Sequence, residues 1–408
     1  MGALFAVLVI AALPSATHAA TPRGWEQLLA VPADGVFPVG WASGRAWFLL
    51  ERSDDEQVLY SARVAGGRLA SLVANPMGKG DQGIADALLS GSTLVGVSQG
   101  TSRALTLLPS GKVSGWAPMP GDPVVIARGS LVPAGYAGDW TAKAAVTVGG
   151  RTVWALPGRL CPPDSDPHHC TINGGGYSSF AVCCTSDGQA VDLTSLLRNT
   201  VKGGTSQPGL GVDAHGRLWL TWVDNVPNEA GIDFVQLDAT TLQPGHVQFL
   251  GTLPGVVPGR IPPFLAPALF LGCGDACSVV VGSAFGVFRW PGAGPAAALW
   301  RSDPLKGTGG QLLAAGPYGG GLALASYGRK NSAAADLTLG LVRTDAEGRN
   351  PHTAASVTAV LEIPRDPSHV ASLEGVTAMV TPAGLVAFAL YRSDDARPDL
   401  VLATVLHG

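Results

Sequence analysis

The sequence predicts an all-β fold: a β-propeller, most simply of seven blades with four antiparallel strands each, six or eight being the neighbouring counts. Three observations predict it. The composition is rich in turn formers and poor in charge, a strand-turn-strand unit recurs along the chain, and a glycine heads each recurrence.

Composition comes first. The 408 residues hold 55 Gly and 31 Pro beside 46% hydrophobic and only 14% charged residues, a balance that favours many short strands over long helices rich in Glu and Lys. The apolar content is also enough to offset the entropy of ordering, so disorder is not expected. A net charge of -4 leaves no electrostatic footprint for nucleic acid or an anionic membrane surface. Large all-β domains of this length fold as single units, so residues 21–408 are read as one domain.

The repeat carries the argument furthest. GRAWFLLERSDD at 44–55, followed by VLYSARV at 58–64, matches GLVAFALYRSDD at 384–395, followed by LVLATV at 400–405. Both read as turn, strand, polar loop, strand. Weaker copies begin at Gly91, Gly129, Gly216, Gly274 and Gly320, which makes seven anchors spaced 47, 38, 87, 58, 46 and 64 residues apart. An apolar stretch precedes the anchors, as in PVGWAS before Gly44 and VTAMVTPA before Gly384. A further strand follows the unit, as in 66–73, 110–116 and 149–156. Four short strands per unit, joined by glycine turns, is the composition of a propeller blade. Such strands also suit an open β-sandwich pair, which is the alternative architecture.

The long interval between Gly129 and Gly216 breaks the rhythm. It contains a cysteine-rich stretch at about 157–207, read as an insertion, unless 180–197 forms a degenerate eighth blade. A ring of blades must also close, because an open end exposes unpaired strand edges. The segment WEQLLAVP at 25–32 is expected to join the last blade, whose own strands run to Leu406.

The ends and the cysteines suggest a compartment. Residues 1–20 hold an apolar run of 11 residues from Ala3 to Leu13, Pro14, and a small-residue site at Thr17, His18 and Ala19. This reads as a secretory signal peptide, too short to span a bilayer, although no Lys or Arg precedes the run. A secreted or periplasmic protein without a membrane span is expected. Six cysteines, Cys161, Cys170, Cys183, Cys184, Cys273 and Cys277, are an even number in an exported chain and suggest disulfides. A Cys273–Cys277 bridge across a tight turn is favoured, whereas the pairing of the other four is open, Cys183 and Cys184 bonding either each other or separate partners. A zinc site of Cys161, His168, His169, Cys170 and the adjacent cysteines lacks paired CxxC knuckles, so no metal is expected. No cofactor motif is present either.

One unit resembles a known family. GLGVDAHGRLWLTW at 209–222 resembles the strand-turn-strand repeat of sialidase-like and NHL-like propellers, with fainter echoes at 185–193 and 108–116. The resemblance implies a blade in which Asp213 serves the turn and Trp219 packs the sheet. The sialidase box, however, has one residue between Asp and Gly, and here Ala214 and His215 intervene. The family's chemistry would need an arginine cluster, a tyrosine nucleophile and an acidic proton carrier. Arg260 sits in an Arg-Ile-Pro element, and Tyr318, Tyr327 and Tyr391 lie near loops, but the element follows the box rather than preceding it and no further arginines can be assigned. Ser206, His215 and Asp213 could be written as a triad, which sequence proximity alone does not support.

Topology gives the positive expectation. Loops joining the second and third strands of each blade emerge on one face: 52–57, 98–102, 136–141, 222–231, 282–284, 326–335 and 391–399. They carry nine carboxylates against five basic residues, so the face is acidic. Asp54, Asp55, Glu56, Asp139, Asp224, Glu229, Asp394 and Asp395 lie there, with Tyr136, Trp140, Trp222, Tyr327 and Tyr391 among them. Polar groups beside aromatics on loops held by a rigid scaffold suit recognition of a ligand. The expected function is a monomeric, non-catalytic binding scaffold for a glycan or protein. A propeller glycoside hydrolase or lyase of the sialidase-like type and a structural surface protein are the alternatives.

Overall fold

The computed structural model describes residues 24–52, 56–79, 86–98, 101–115, 117–119, 121–134, 136–140, 142–161, 179–197, 205–212, 215–226, 229–252, 269–271, 278–283, 286–289, 297–301, 311–319, 321–329, 337–345, 352–359, 371–393 and 396–408. It is mostly β. Among the described residues the strands fall into seven antiparallel sheets, six of four strands and one of five.

The chain opens with β1 (Glu26–Ala30). The first sheet is then built in sequence order from β2 (Gly35–Ala42), β3 (Arg45–Glu51), β4 (Glu56–Ala65) and β5 (Arg68–Lys79), and the second from β6 (Asp86–Ser90), β7 (Thr93–Ser98), β8 (Thr101–Thr106) and β9 (Ala117–Pro118). Helix α1 (Pro123–Leu131) follows. The third sheet holds β10 (Ala137–Trp140) and β11 (Ala144–Val148), both paired with β12 (Arg151–Cys161), then β13 (Ser179–Cys183) and β14 (Ala190–Asp192).

The fourth sheet is β15 (Thr205–Val212), β16 (Leu218–Val226), β17 (Glu229–Leu237) and β18 (Gln248–Thr252), and the fifth is β19 (Leu269–Leu271), β20 (Ser278–Ser283), β21 (Gly286–Arg289) and β22 (Ala297–Arg301). The sixth is β23 (Gln311–Tyr318), β24 (Gly321–Arg329), β25 (Leu337–Thr344) and β26 (His352–Ala359). In the seventh, β27 (Ala371–Thr381), β28 (Gly384–Ser393) and β29 (Ala396–Leu406) are joined by β1, which pairs antiparallel with β29 from Glu26↔Ala403 to Ala30↔Leu400. The expected partnership of the N-terminal strand with the last strands is thus present.

The central strand β3 is apolar on both faces because the first sheet is packed on two sides. In β3, Trp47 and Leu49 join a core with Leu94, Leu105 and Leu107 of the second sheet. The alternate residues Ala46, Phe48 and Leu50 join Met379, Phe388 and Val401 of the seventh, where the rings of Phe48 and Phe388 lie 4.5 Å apart. A period of two in a strand sends neighbours to opposite faces, so a continuous apolar run serves two interfaces. Neighbouring sheets also touch in series. β2 lies against β27 and β6, β11 against β6 and β15, β15 against β19, and β23 against β20 and β27.

The interval from Gly129 to Gly216 departs from the expectation. Gly129 lies within α1 rather than in a hairpin turn. The segment 149–156, expected to be a trailing strand, supplies the Gly149-Gly150 turn and the start of β12, the second strand of the third sheet. Asp122 caps the helix through Val124 N at 2.9 Å and Pro123 occupies its first turn, so a polar cap and a pre-set φ favour a helix where alternation suggested a strand. Residues 180–197 form no sheet of their own. They supply β13, β14 and a short 3-10 turn at Thr194–Leu196 of the third sheet. The stretch read as an insertion at about 157–207 therefore contributes strands, and 162–178 lies outside the described residues.

Candidate functional site

Antiparallel order puts each second-to-third turn at the same end of its sheet as the start of the first strand. In the first sheet this end is closed by Arg52 N donating to Glu56 O at 2.9 Å, and the Arg52 guanidinium meets the Glu56 carboxylate at 2.9 Å. Both side chains are half exposed, so the pair orders the turn more than it stabilises it. Phe37 sits close to this end, since Gly35 pairs with Glu51 and Phe37 with Leu49. Its ring is 46% exposed and lies over Gly35, where a Cβ would meet Phe37 Cε2 at 2.5 Å. A Cβ at position 35 would displace the ring from this place.

In the third sheet Tyr136 precedes β10, whose first residue Ala137 pairs with Cys161 at the end of β12. Tyr136 N donates to Pro133 O at 3.0 Å, and the side chain is 43% exposed. Asp139 lies inside β10 opposite Arg159. In the fourth sheet Asp224 pairs with Gly231 and Glu229 with Val226, which places both at the β16–β17 turn.

Three aromatics expected on this face are instead in the core. Trp140 is buried with Val124, Ala127, Trp154 and Cys183 between α1 and the third sheet. Trp222 falls in register with Leu218 and Leu220 on the face of β16 that meets the third sheet, its ring edge-on to Phe180 at 5.8 Å. Tyr391 belongs to the alternate set of β28 with Leu385, Ala387 and Ala389. The cause is strand length. β16 continues to Val226 and β28 to Ser393, so these rings stand inside strands, and an inward-facing aromatic is buried for its large apolar area. Tyr327 is likewise within β24, opposite Leu339. Asp54, Asp55, Asp394 and Asp395 lie outside the described residues.

The catalytic alternatives gain no geometry. Ser206 pairs with Val223 near the start of β15, whereas His215 lies in the turn after its end, so a strand's length separates them, and Asp213 is outside the described residues. Arg260 is also outside them. Tyr318 ends β23 with its ring under the Arg343 guanidinium at 5.1 Å. Among the described residues no three His, Cys, Asp or Glu side chains converge on a point, and no helix is long and apolar enough to cross a membrane.

Of the cysteines, Cys161 ends β12 and Cys183 is joined to its neighbour Cys184, with Cα atoms 3.0 Å apart. Cys170, Cys273 and Cys277, and with them the expected bridge across the Gly274–Ala276 turn, lie outside the described residues.

Sequence reasoning missed Phe37, which sits inside an apolar strand with nothing in its spacing to mark exposure. Two exposed aromatics remain, Phe37 in the first sheet and Tyr136 in the third, each near the second-to-third turn end of its own sheet; Glu56 stands at that end of the first sheet, and Asp224 and Glu229 at that end of the fourth.

No protein-family model matches the chain, and no curated protein sequence is significantly similar to it. Solved structures are similar in fold. The Dos1 propeller aligns with a TM-score of 0.40 at 10% identity over 88% of this chain and 74% of that one. A prolyl endopeptidase aligns at 0.44 and 12% identity, covering 92% of this chain and 47% of its own. Trypanosoma rangeli sialidase in complex with sialic acid aligns at 0.41 and 10%, covering 94% and 59%. The likeness is one of fold alone.

Proposed function

We propose that the seven sheets are blades of one closed propeller ring, and that the protein is an exported, non-catalytic scaffold that captures a glycan or protein through the rim at the second-to-third turns. The serial contacts between neighbouring sheets, from β2 through β6, β11, β15, β19, β20 and β23 to β27 and back to β2, support the ring. The pairing of β1 with β29 would cover the last strand edge, as a closed ring requires. In such a ring the blades share polarity, so their turn ends form one surface.

The observation that carries the function is the exposure of Phe37 and Tyr136 at those ends of the first and third sheets. Exposed rings next to hydrogen-bond acceptors offer an apolar face and a polar edge, the pairing that sugar rings and protein loops both use. Export through residues 1–20 and oxidation of the remaining cysteines belong to the same proposal. N-terminal sequencing of the secreted protein and thiol titration without reductant test them.

The test of binding is a glycan array probed with the mature protein and with Phe37→Ala and Tyr136→Ala. Capture that falls in both variants, with unchanged circular dichroism, is the expected result. Capture that survives both substitutions, or turnover of an arrayed glycan, would overturn it.

A further inference from the structure

At the other end of the sheets, the β13–β14 turn and the β17–β18 turn enclose a groove of about 610 Å3. Its size falls within the roughly 300–1,000 Å3 of small-molecule sites. One wall carries Thr185, Ser186, Asp187 and Gln189, the other Thr240, Thr241 and Gln243, with Asp192 at the edge. Among the described residues no lysine, arginine or aromatic ring lines it.

The walls are fixed to each other. Arg151 donates from Nη1 to Cys184 O at 2.7 Å and from Nη2 to Thr240 O at 3.1 Å, so one guanidinium holds the β13–β14 turn to the neighbouring sheet. Ser186 N donates to the same Thr240 oxygen at 3.2 Å. Each turn is also braced internally, Gln189 N donating to Thr185 Oγ1 at 2.9 Å and Thr240 N to Asp238 Oδ1 at 2.9 Å. Among the described residues the side chains of Ser186, Gln189, Thr240 and Gln243 make no hydrogen bond, and all four line the groove.

We propose that this groove binds a neutral polyhydroxylated ligand, a sugar or short oligosaccharide. Hydroxyls and amides donate and accept, and the Asp187 carboxylate accepts from ligand hydroxyls, which matches a molecule that is itself a dense array of O–H groups. The carboxylates of Asp187 and Asp192 on the lining disfavour phosphate, sulfate and uronate groups. Because the walls are already held, binding costs little ordering. The described lining is all hydroxyl, amide, carboxylate and small aliphatic groups, so recognition there runs through hydrogen bonds.

The test is saturation-transfer NMR of the mature protein with cellotetraose, xylotetraose, maltotetraose and chitotetraose, and with a sulfated and a uronate oligosaccharide. The double variant Gln189→Ala/Gln243→Ala removes two exposed amides without touching the turn hydrogen bonds. At least one neutral probe is expected to bind, about tenfold more weakly in the double variant and unchanged in Tyr136→Ala. The groove is overturned if no neutral probe binds, if the double variant binds equally well, or if the anionic probes bind as well as the neutral ones. Loss in Tyr136→Ala alone would assign binding to the rim and remove the groove, so the two proposals fail separately.

Discussion

The Arg45 guanidinium donates from Nε to Ser61 Oγ at 3.0 Å, and the Ser61 hydroxyl donates onward to Gly111 O at 3.0 Å in the second sheet. Asn75 Nδ2 reaches the same Gly111 oxygen at 3.0 Å, so two side chains of the first sheet, one of them backed by Arg45, converge on one carbonyl between β8 and β9. Arg45 is 2% exposed, and burial, reinforced by Arg63, lowers its pKa. Its Nη2 donates to the carbonyls of Ser61 and Ser71.

Removing the guanidinium takes donors from the buried Ser61 hydroxyl and carbonyl and opens a cavity. Arg45→Ala is therefore expected to cost about 3 kcal/mol and Ser61→Ala about 1–2 kcal/mol. Arg45→Lys does not restore stability, because an ammonium lacks the planar fork that spans three oxygens. Urea denaturation of the three variants checks the order.

Two glycines that anchor the repeat separate two kinds of constraint. Gly44 has φ +73° and nothing within 4 Å of the point a Cβ would occupy, whereas at Gly384, with φ +129°, a Cβ would meet Leu406 O at 2.4 Å. Substitution by alanine at Gly44 is expected to cost only about 1 kcal/mol for the left-handed backbone. At Gly384 the backbone oxygen cannot move without breaking the β28–β29 ladder, and the cost rises to roughly 2–4 kcal/mol. Thermal unfolding of Gly44→Ala and Gly384→Ala side by side tests the difference. Equal losses would show that backbone conformation alone governs both sites.

The same glycines explain how much of the fold was legible. Gly44, Gly91, Gly216 and Gly384 each stand at the turn between a sheet's first and second strands, because a tight hairpin needs positive φ and leaves that mark in any sequence. Gly129 misled because a glycine in a short helix looks identical, and Asp122-Pro123 was the signal that could have corrected it. The site was less legible. Whether an aromatic lies on a rim or in a core depends on where its strand ends, and Trp222 and Tyr391 lay only a few residues from the turns. The groove was invisible, since it is made by two turns about 50 residues apart brought together by sheet stacking.

Asp238 gives a pH signature. Its carboxylate accepts from Thr241 N, Thr240 N and the Thr241 hydroxyl, and these bonds, the backbone ones foremost, hold its pKa below the ordinary aspartate value. A carboxyl depressed in the folded state stabilises it fully above the unfolded pKa of about 3.9 and loses that contribution as pH falls through the folded value. Asp238→Asn keeps an acceptor without the charge. The stability gap between wild type and Asp238→Asn is expected to be constant near neutrality and to shrink below about pH 4. Chemical denaturation from pH 7 down to pH 3 measures it, and a gap that widens on acidification would reverse the sign of the argument.

Trp140 and Tyr136 are four residues apart and should answer oppositely to the same substitution. Trp140 is 1% exposed and packed against α1 and Trp154, while Tyr136 is 43% exposed at the head of the strand. A Cβ at Gly138 would already meet the Trp140 ring at 2.1 Å, so the indole lies close over the intervening backbone. Trp140→Ala removes that packing and is expected to cost about 3–5 kcal/mol, and the cavity faces both the helix and the second sheet, so no single element can collapse into it. Tyr136→Ala exposes no core and should stay within about 0.5 kcal/mol of wild type. If Tyr136 belongs to a recognition rim, its substitution changes ligand capture without moving the unfolding midpoint. A destabilisation by Tyr136→Ala comparable to that of Trp140→Ala would instead make the tyrosine a packing residue and remove it from the rim.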